Sequence, residues 1–172
     1  MEKKIPVIID TDPGVDDALA IMIAAASEKI DLLGLTPVDG NVQAVHTHQN
    51  ALNLVSFLGI DADVAEGSYD QLVYRFGRYA SSTHGETGMG GVELPVSNRK
   101  FHKLRAWDYI YEKAKEHKGE LVLIAIGPLT NVARTIIMHP DIRTMLKQIV
   151  MMGGSTEAGN VTPYAEFNFL VD

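Results

Sequence analysis

Cysteine is absent from the chain, so neither a disulfide staple nor thiol chemistry is available to it. Tryptophan occurs once, and the apolar content is carried mainly by aliphatic side chains. No Lys/Arg-rich run offsets the net charge of −7, which disfavours a nucleic-acid backbone or an anionic membrane as partner. Long apolar runs are missing too. Met1-Glu2-Lys3-Lys4 precedes only a short apolar run ending at Asp10, too short for a signal peptide or a membrane span. These absences fit a cytoplasmic protein. What remains is ordinary for a globular chain: 172 residues, 46% hydrophobic and 22% charged, enough for one domain over 1–172.

The charge is unevenly placed. Asp10-Thr11-Asp12-Pro13-Gly14-Val15-Asp16-Asp17 follows directly on the apolar Ile5-Pro6-Val7-Ile8-Ile9. Four carboxylates in eight residues, at the end of a buried strand, repel one another unless a cation neutralises them or a proton is shared. Asp16 and Asp17 also fall where a helix dipole favours negative charge, but that leaves Asp10 and Asp12 unexplained.

The rest of the chain alternates strand and helix. Strands are expected at 5–9, 32–38, 63–65, 121–126 and 148–152, and helices at 18–26, 42–58, 105–117 and 129–137. Residues 18–26 (ALAIMIAAA) are apolar almost all round and read as a buried helix. In the second helix, Val45, Leu52, Val55 and Leu58 share a face. The third reads as amphipathic. Leu129, Val132, Ala133, Ile136 and Ile137 give the fourth its spacing. Residues 66–104 show no sustained period and many glycines, with a helix possible near Gln71 to Ala80; so long a loop is often functional. Apolar rather than alternating strands predict an α/β fold with an open, mainly parallel sheet flanked by helices. Ligands bind such sheets beyond the carboxyl ends of the strands. Four polar clusters fall at that edge: 10–17, 39–41, 127–131 and 153 onward.

Carboxylates without cysteine or a paired histidine favour a hard cation, Ca²⁺ or Mg²⁺, and spacing does not choose between them. The loop is not an EF-hand, because its glycine and distal glutamate are misplaced. A bound ion would acidify a coordinated water, and a neighbouring carboxylate would take its proton.

These residues carry a resemblance. The segment Asp10 to Ala18 resembles the N-terminal signature of the inosine-uridine-preferring nucleoside hydrolases. Further blocks resemble later family motifs in the right order: Val38-Asp39-Gly40-Asn41, His84-Gly85-Glu86-Thr87-Gly88, Ile126-Gly127-Pro128-Leu129-Thr130-Asn131, Met151-Met152-Gly153-Gly154, and Gly159 to Asn168. The likeness runs from Ile5 to Asp172. It implies a Rossmann-like fold and hydrolysis of a ribonucleoside to free base and ribose, with Ca²⁺ at the bottom of the pocket. By motif, Asp12 would ligate the ion and act as general base. Asp17 would ligate it bidentately, Thr130 through its backbone carbonyl, and Asp10 would support from beside it. Asp16, Asn41 and Asn168 would hold ribose hydroxyls, with Glu166 and Asn160 at the 5′ side. Met152 would line the sugar pocket and His84 would lie near the base. Such carboxylates suit a transition state that is oxocarbenium-like.

Plainer readings stand beside these. Asn41 serves equally as a turn residue or cap, and Thr130 or Asn131 as a helix cap. A lone loop histidine such as His84 is usually solvated. Met151-Met152 suits a core. Glu166 and Asn168 suit the surface of a starting helix. His46, His48, His102, His117 and His139 receive no role. A haloacid dehalogenase-type phosphatase with Mg²⁺ also places Asp-x-Asp after an apolar strand, with the first aspartate as nucleophile. Family members are longer, and their C-terminal half supplies a further Asp ligand and a His that helps the base depart. The resemblance therefore implies a truncated form, impaired alone or reduced to a ribose-binding remnant. Apolar surface left uncovered would favour a homo-oligomer.

Overall fold

The computed structural model describes residues 3–73 and 79–172. Its sheet has five strands: β1 (Ile5–Thr11), β2 (Ile30–Pro37), β3 (Asp63–Val64), β4 (Val122–Ala125) and β5 (Gln148–Met151). All neighbours pair in parallel, in the order β3-β2-β1-β4-β5. The connecting helices are α1 (Val15–Ala26), α2 (Ala44–Phe57), the single turn α3 (Ser81–His84), α4 (Ala106–His117) and α5 (Thr130–Met138). A 3₁₀ turn (Pro140–Thr144) leads into β5, and α6 (Phe167–Val171) ends the chain.

Alternation along β1 builds the layers. Val7 and Ile9 face α1 and α2, in a core with Ile21, Leu35, Ala51 and Leu54. Ile8 faces the other way, onto Tyr109, Ile110, Leu123 and Val132 beneath α4 and α5. Ile8, Leu35 and Leu54 are wholly inaccessible, and burying each such side chain contributes about 1.5–3 kcal/mol. Covered on both faces, the central strand must be apolar along its middle, as Val7 to Ile9 are.

The register between β1 and β2 contains one irregularity. Val7 pairs with Leu32 but Ile8 pairs with Gly34, so Leu33 is an extra residue. The Tyr109 hydroxyl donates to its carbonyl at 2.9 Å. A side chain at Gly34 would stand 2.6 Å from that hydroxyl. Without the extra residue Leu35 would lie opposite Asp10; with it, Thr36 does.

The expected elements appear, with three shifts. The apolar helix α1 is not buried all round: Leu19 and Ile23 are exposed, and Ile23 is 71% accessible. Its inner stripe is Asp17, Ala18, Ile21 and Ala24. In α2 the buried stripe runs through Ala44, His48, Ala51 and Val55, which turns Val45 outward. In α5, Thr135 rather than Ile137 faces inward. The helix expected near Gln71 to Ala80 falls partly on 74–78, outside the described residues; 71–73 and 79–80 are not helical. Within 66–104 the described helix is α3 alone. No helix among the described residues is long and apolar enough to cross a membrane.

The chain leaves β1 towards β2 and β3, then returns to β4 on the opposite side. That reversal opens a crevice beyond the carboxyl ends of β1 and β4, where α/β sheets bind ligands. Asp12 follows β1 there, and Gly127-Pro128 follows β4.

Candidate active site

Asp12 forms the floor. Its Oδ2 accepts from Asn41 N at 2.7 Å, while its Oδ1 is buried without a hydrogen-bond partner. Two glycines let the chain close on this carboxylate. A Cβ at Gly40 would stand 2.1 Å from Oδ2, and one at Gly127 would stand 2.7 Å from Oδ1. Asp17, in the first turn of α1, lies beside it. Asp17 Oδ1 accepts from Thr11 Oγ1 at 2.5 Å, and Oδ2 accepts from Gly14 N at 3.0 Å and Asn41 Nδ2 at 3.2 Å. The same Asn41 amide donates to Asp12 O at 3.1 Å. One asparagine thus grips both aspartates, a larger role than a turn or cap.

Burial, then the neighbouring Asp17 charge, holds the Asp12 carboxyl well above the usual range. Burial raises Asp17 as well, against its bonds from Thr11 and Gly14. Asp10 is pushed up to about 7 by burial, against bonds from Thr36 (2.6 Å) and Asn131 (2.9 Å). Three buried aspartates with little positive charge near them form a site that a cation would relieve.

Above this floor opens a cavity of about 480 Å³. Its wall includes eight of the residues singled out by sequence: Asp16, Asp17, Asn41, His84, Met152, Asn160, Glu166 and Asn168. Asp12, Thr130 and Asp10 are not in the wall and are buried. Asp16 is exposed, with its carboxylate 3.7 Å from His84 Nδ1. His84 is not a solvated loop residue: it is buried, and Nδ1 accepts from Val15 N at 3.2 Å. That bond leaves the ring proton on Nε2. Glu166 caps α6, accepting from Asn168 N and Phe169 N, and its Oε2 also accepts from Gly154 N at 3.0 Å. Asn160 Oδ1 accepts from Phe167 N at 2.9 Å. Asn168 Nδ2 donates to Ile126 O at 2.9 Å and Met152 O at 3.1 Å, joining the ends of β4 and β5. Met152 is half exposed, so it does not belong to the core.

Neither Thr130 nor Asn131 caps α5 with its side chain. Thr130 Oγ1 donates to Asp172 Oδ2 at 2.5 Å, and Asn131 reaches down to Asp10. Sequence reasoning missed Asn131, Thr36, Gly40 and Gly127. The glycine signals were present, each beside a polar cluster, but close approach is a property of the fold.

The donor set is all oxygen and includes two orphaned carboxylate atoms, Asp10 Oδ1 and Asp12 Oδ1, which fits a hard cation. The fit is partial. Among the described residues, no group of three or more His, Cys, Asp or Glu side chains forms a metal cage. Calcium takes about 6–8 oxygens.

The profile of the family described as "Inosine-uridine preferring nucleoside hydrolase" matches residues 7–172. The chain belongs to that family. This bears out the resemblance carried by the sequence blocks. Among curated nucleoside hydrolases, the non-specific ribonucleoside hydrolase RihC of Escherichia coli O127:H6 is 41% identical over 98% of this chain and 55% of its own length. Uridine nucleosidase 1 of Arabidopsis thaliana is 42% identical, over 96% of this chain and 50% of its own. The plant nucleoside hydrolase PpNRh1 superposes with a TM-score of 0.94 at 39% identity, covering 99% of this chain and 54% of that one. The purine-preferring ribonucleoside hydrolase from Gardnerella vaginalis gives 0.93 at 35% identity, covering 97% and 54%. The chain therefore spans about half the length of the relatives it matches.

Proposed function

We propose that the chain carries the ion- and ribose-binding portion of a ribonucleoside N-ribohydrolase, which splits a nucleoside into free base and ribose. The observation that supports this most is the orphaned Asp12 Oδ1, gripped between two close-approach glycines under a polar cavity. Relatives named as ribonucleoside hydrolase and uridine nucleosidase support the reaction class.

Asp12, Asp17 and the Thr130 carbonyl would hold Ca²⁺, with Asp10 as support. When bound, the ion would acidify a water and orient the ribose diol. With a cation's charge keeping its carboxyl ionised, Asp12 would take a proton from the attacking water at Oδ1, which accepts no other hydrogen bond. The water oxygen bonds to C1′ of the ribose. The C1′–N bond breaks, its electron pair leaves with the base, and the base takes up a proton from solvent while Asp12 releases its own to solvent. Asp16, Asn41 and Asn168 hold the ribose hydroxyls, and Glu166 and Asn160 face the 5′ side. The acidic wall stabilises positive charge as it develops on the sugar. His84, with its proton on Nε2, stands near the base. A relative described as non-specific and another described as a uridine nucleosidase leave purine and pyrimidine nucleosides both as substrates to test.

The test is ribose release from inosine and from uridine with calcium present. Asp12→Asn is expected to lower turnover about 10²–10⁴-fold, the range for loss of a general base. Full turnover in Asp12→Asn would overturn the assignment. A chain that binds ribose by calorimetry but releases no base would instead be a binding remnant.

A further inference from the structure

The site stands on several strand ends, and one side chain outside the cavity touches most of them. Asn131 is fully buried in the first turn of α5, which follows β4. Its Nδ2 donates to Asp10 Oδ2 at the end of β1, at 2.9 Å. The same amide lies 3.3 Å from Thr36 O and 3.2 Å from Pro37 O, at the end of β2. Its Oδ1 accepts from Ser68 N at 2.9 Å, in the segment after β3. Ser68 O in turn accepts from Asp39 N at 3.3 Å, and Asp39 opens the turn that grips Asp12. The approach is built into the backbone. A Cβ at Gly67 would stand 2.0 Å from Pro37 O and 2.5 Å from Asn131 Nδ2.

We propose that Asn131 is a positioning residue, which locks the ends of β1 and β2 and the segment after β3 to the start of α5. The lock holds Asp10, Asp12 and the Thr130 carbonyl in one geometry for the cation. The inference rests on the proposed function, because it takes Asp12 and Thr130 as the ion's holders. An amide suits the place for a chemical reason. It supplies two donor hydrogens to a carboxylate and carbonyls, and one acceptor to a buried N–H. Alanine supplies neither. Aspartate keeps the acceptor but sets a carboxylate against Asp10. Thr130 directly precedes Asn131, so anchoring the side chain of one fixes the backbone of the other. Partners at this remove from a metal are worth about 10–100-fold in affinity.

The experiment titrates the full chain with calcium by calorimetry, in the wild type and in Asn131→Ala, Asn131→Asp and Thr36→Val. Ile142→Ala serves as control, because it removes buried packing below α5 without touching the polar lock. Melting is followed for each. Both Asn131 variants are expected to bind calcium about 10–100-fold more weakly while still melting cooperatively. Thr36→Val, which loses the other donor to Asp10, weakens binding by a few-fold. Ile142→Ala melts lower but keeps wild-type affinity. Where turnover is measurable, kcat falls in the Asn131 variants and KM does not. Wild-type affinity in a folded Asn131 variant overturns the proposal, as does equal weakening by Ile142→Ala. So does a wild-type chain that takes up no calcium. If both Asn131 variants fail to fold, wild-type affinity in Thr36→Val overturns it. Calcium affinity lost as expected, with no base released by the wild type, would leave the lock standing and sink the hydrolase reading.

Discussion

Two glycines decide how close the chain comes to Asp12. The turn at Gly40 meets one carboxylate oxygen and the turn at Gly127 the other. Adding a single methyl at Gly40 puts it 2.1 Å from Oδ2 and 2.8 Å from Pro128 Cδ. Asp12 then has to rotate or the turn has to move, and the bond from Asn41 N is lost either way. Such overpacking costs about 1–3 kcal/mol. Gly40→Ala is therefore expected to lower the urea midpoint moderately and to weaken calcium binding about 10–100-fold. Calorimetry on the folded variant checks it, and unchanged affinity would mean that the grip on Asp12 has no part in ion binding. At this scale the sequence was legible where chemistry is local. The aspartates, Asn41 and Asn168 declared themselves by type and motif. Gly40 and Gly127 did not, because what they make room for lies on another strand end.

Elements convert these residues into a site. The strand ends were readable because apolar runs stop at polar clusters, and the alternation of runs with helices implied a parallel sheet. The rotation of the helices was less readable. A helix as uniformly apolar as α1 says nothing about which side is covered, and Leu19 and Ile23 turn outward. The extra residue at Leu33 is followed by Gly34, and a glycine inside a strand marks a bulge, but only the pairing shows that it sets Thr36 opposite Asp10. His48, to which sequence gave no role, proves to be a tether from α2 to the segment after β3. Its Nδ1 lies 2.6 Å from Ala44 O, its Nε2 accepts from Gly67 N at 3.2 Å, and Tyr69 stacks on its ring with centroids 4.5 Å apart. This pattern requires the neutral ring, and burial lowers its pKa below 6.5. The unfolded chain therefore binds the proton first. Above about pH 6.5 His48 costs nothing; as pH falls from there towards its folded value, stability is lost. The buried aspartates act in the opposite sense, because their raised values favour the folded state as pH falls. Comparing wild type with His48→Gln separates the two. Between pH 7.5 and 5, the wild-type urea midpoint should drop relative to that of the variant. Parallel curves would show that His48 is not the group that titrates.

Two of the exposed apolar patches among the described residues bear on association. On α1, Val15, Leu19 and Ile23 form an outward stripe at i, i+4 and i+8. On the other side, among the described residues, β5 pairs only with β4, and Val150, Met151 and Met152 are exposed beside that open edge. An unpaired parallel edge with apolar side chains offers both hydrogen bonds and buried area to a neighbour. The charge of −7 opposes contact, but salt screens charge beyond about 8–10 Å and leaves the apolar term intact. The chain should therefore self-associate at physiological ionic strength, increasingly so as salt is raised. Light scattering at increasing protein concentration measures it. Val150→Lys places a charge on the β5 edge, and Ile23→Lys places one on the α1 stripe. Neither residue is buried, so each variant should fold as the wild type does. The variant that reduces the mean mass identifies which surface drives contact. A wild-type chain that stays monomeric and melts cooperatively at high concentration and high salt would show that neither surface is adhesive. The polar edge groups of β5 would then be satisfied by water alone.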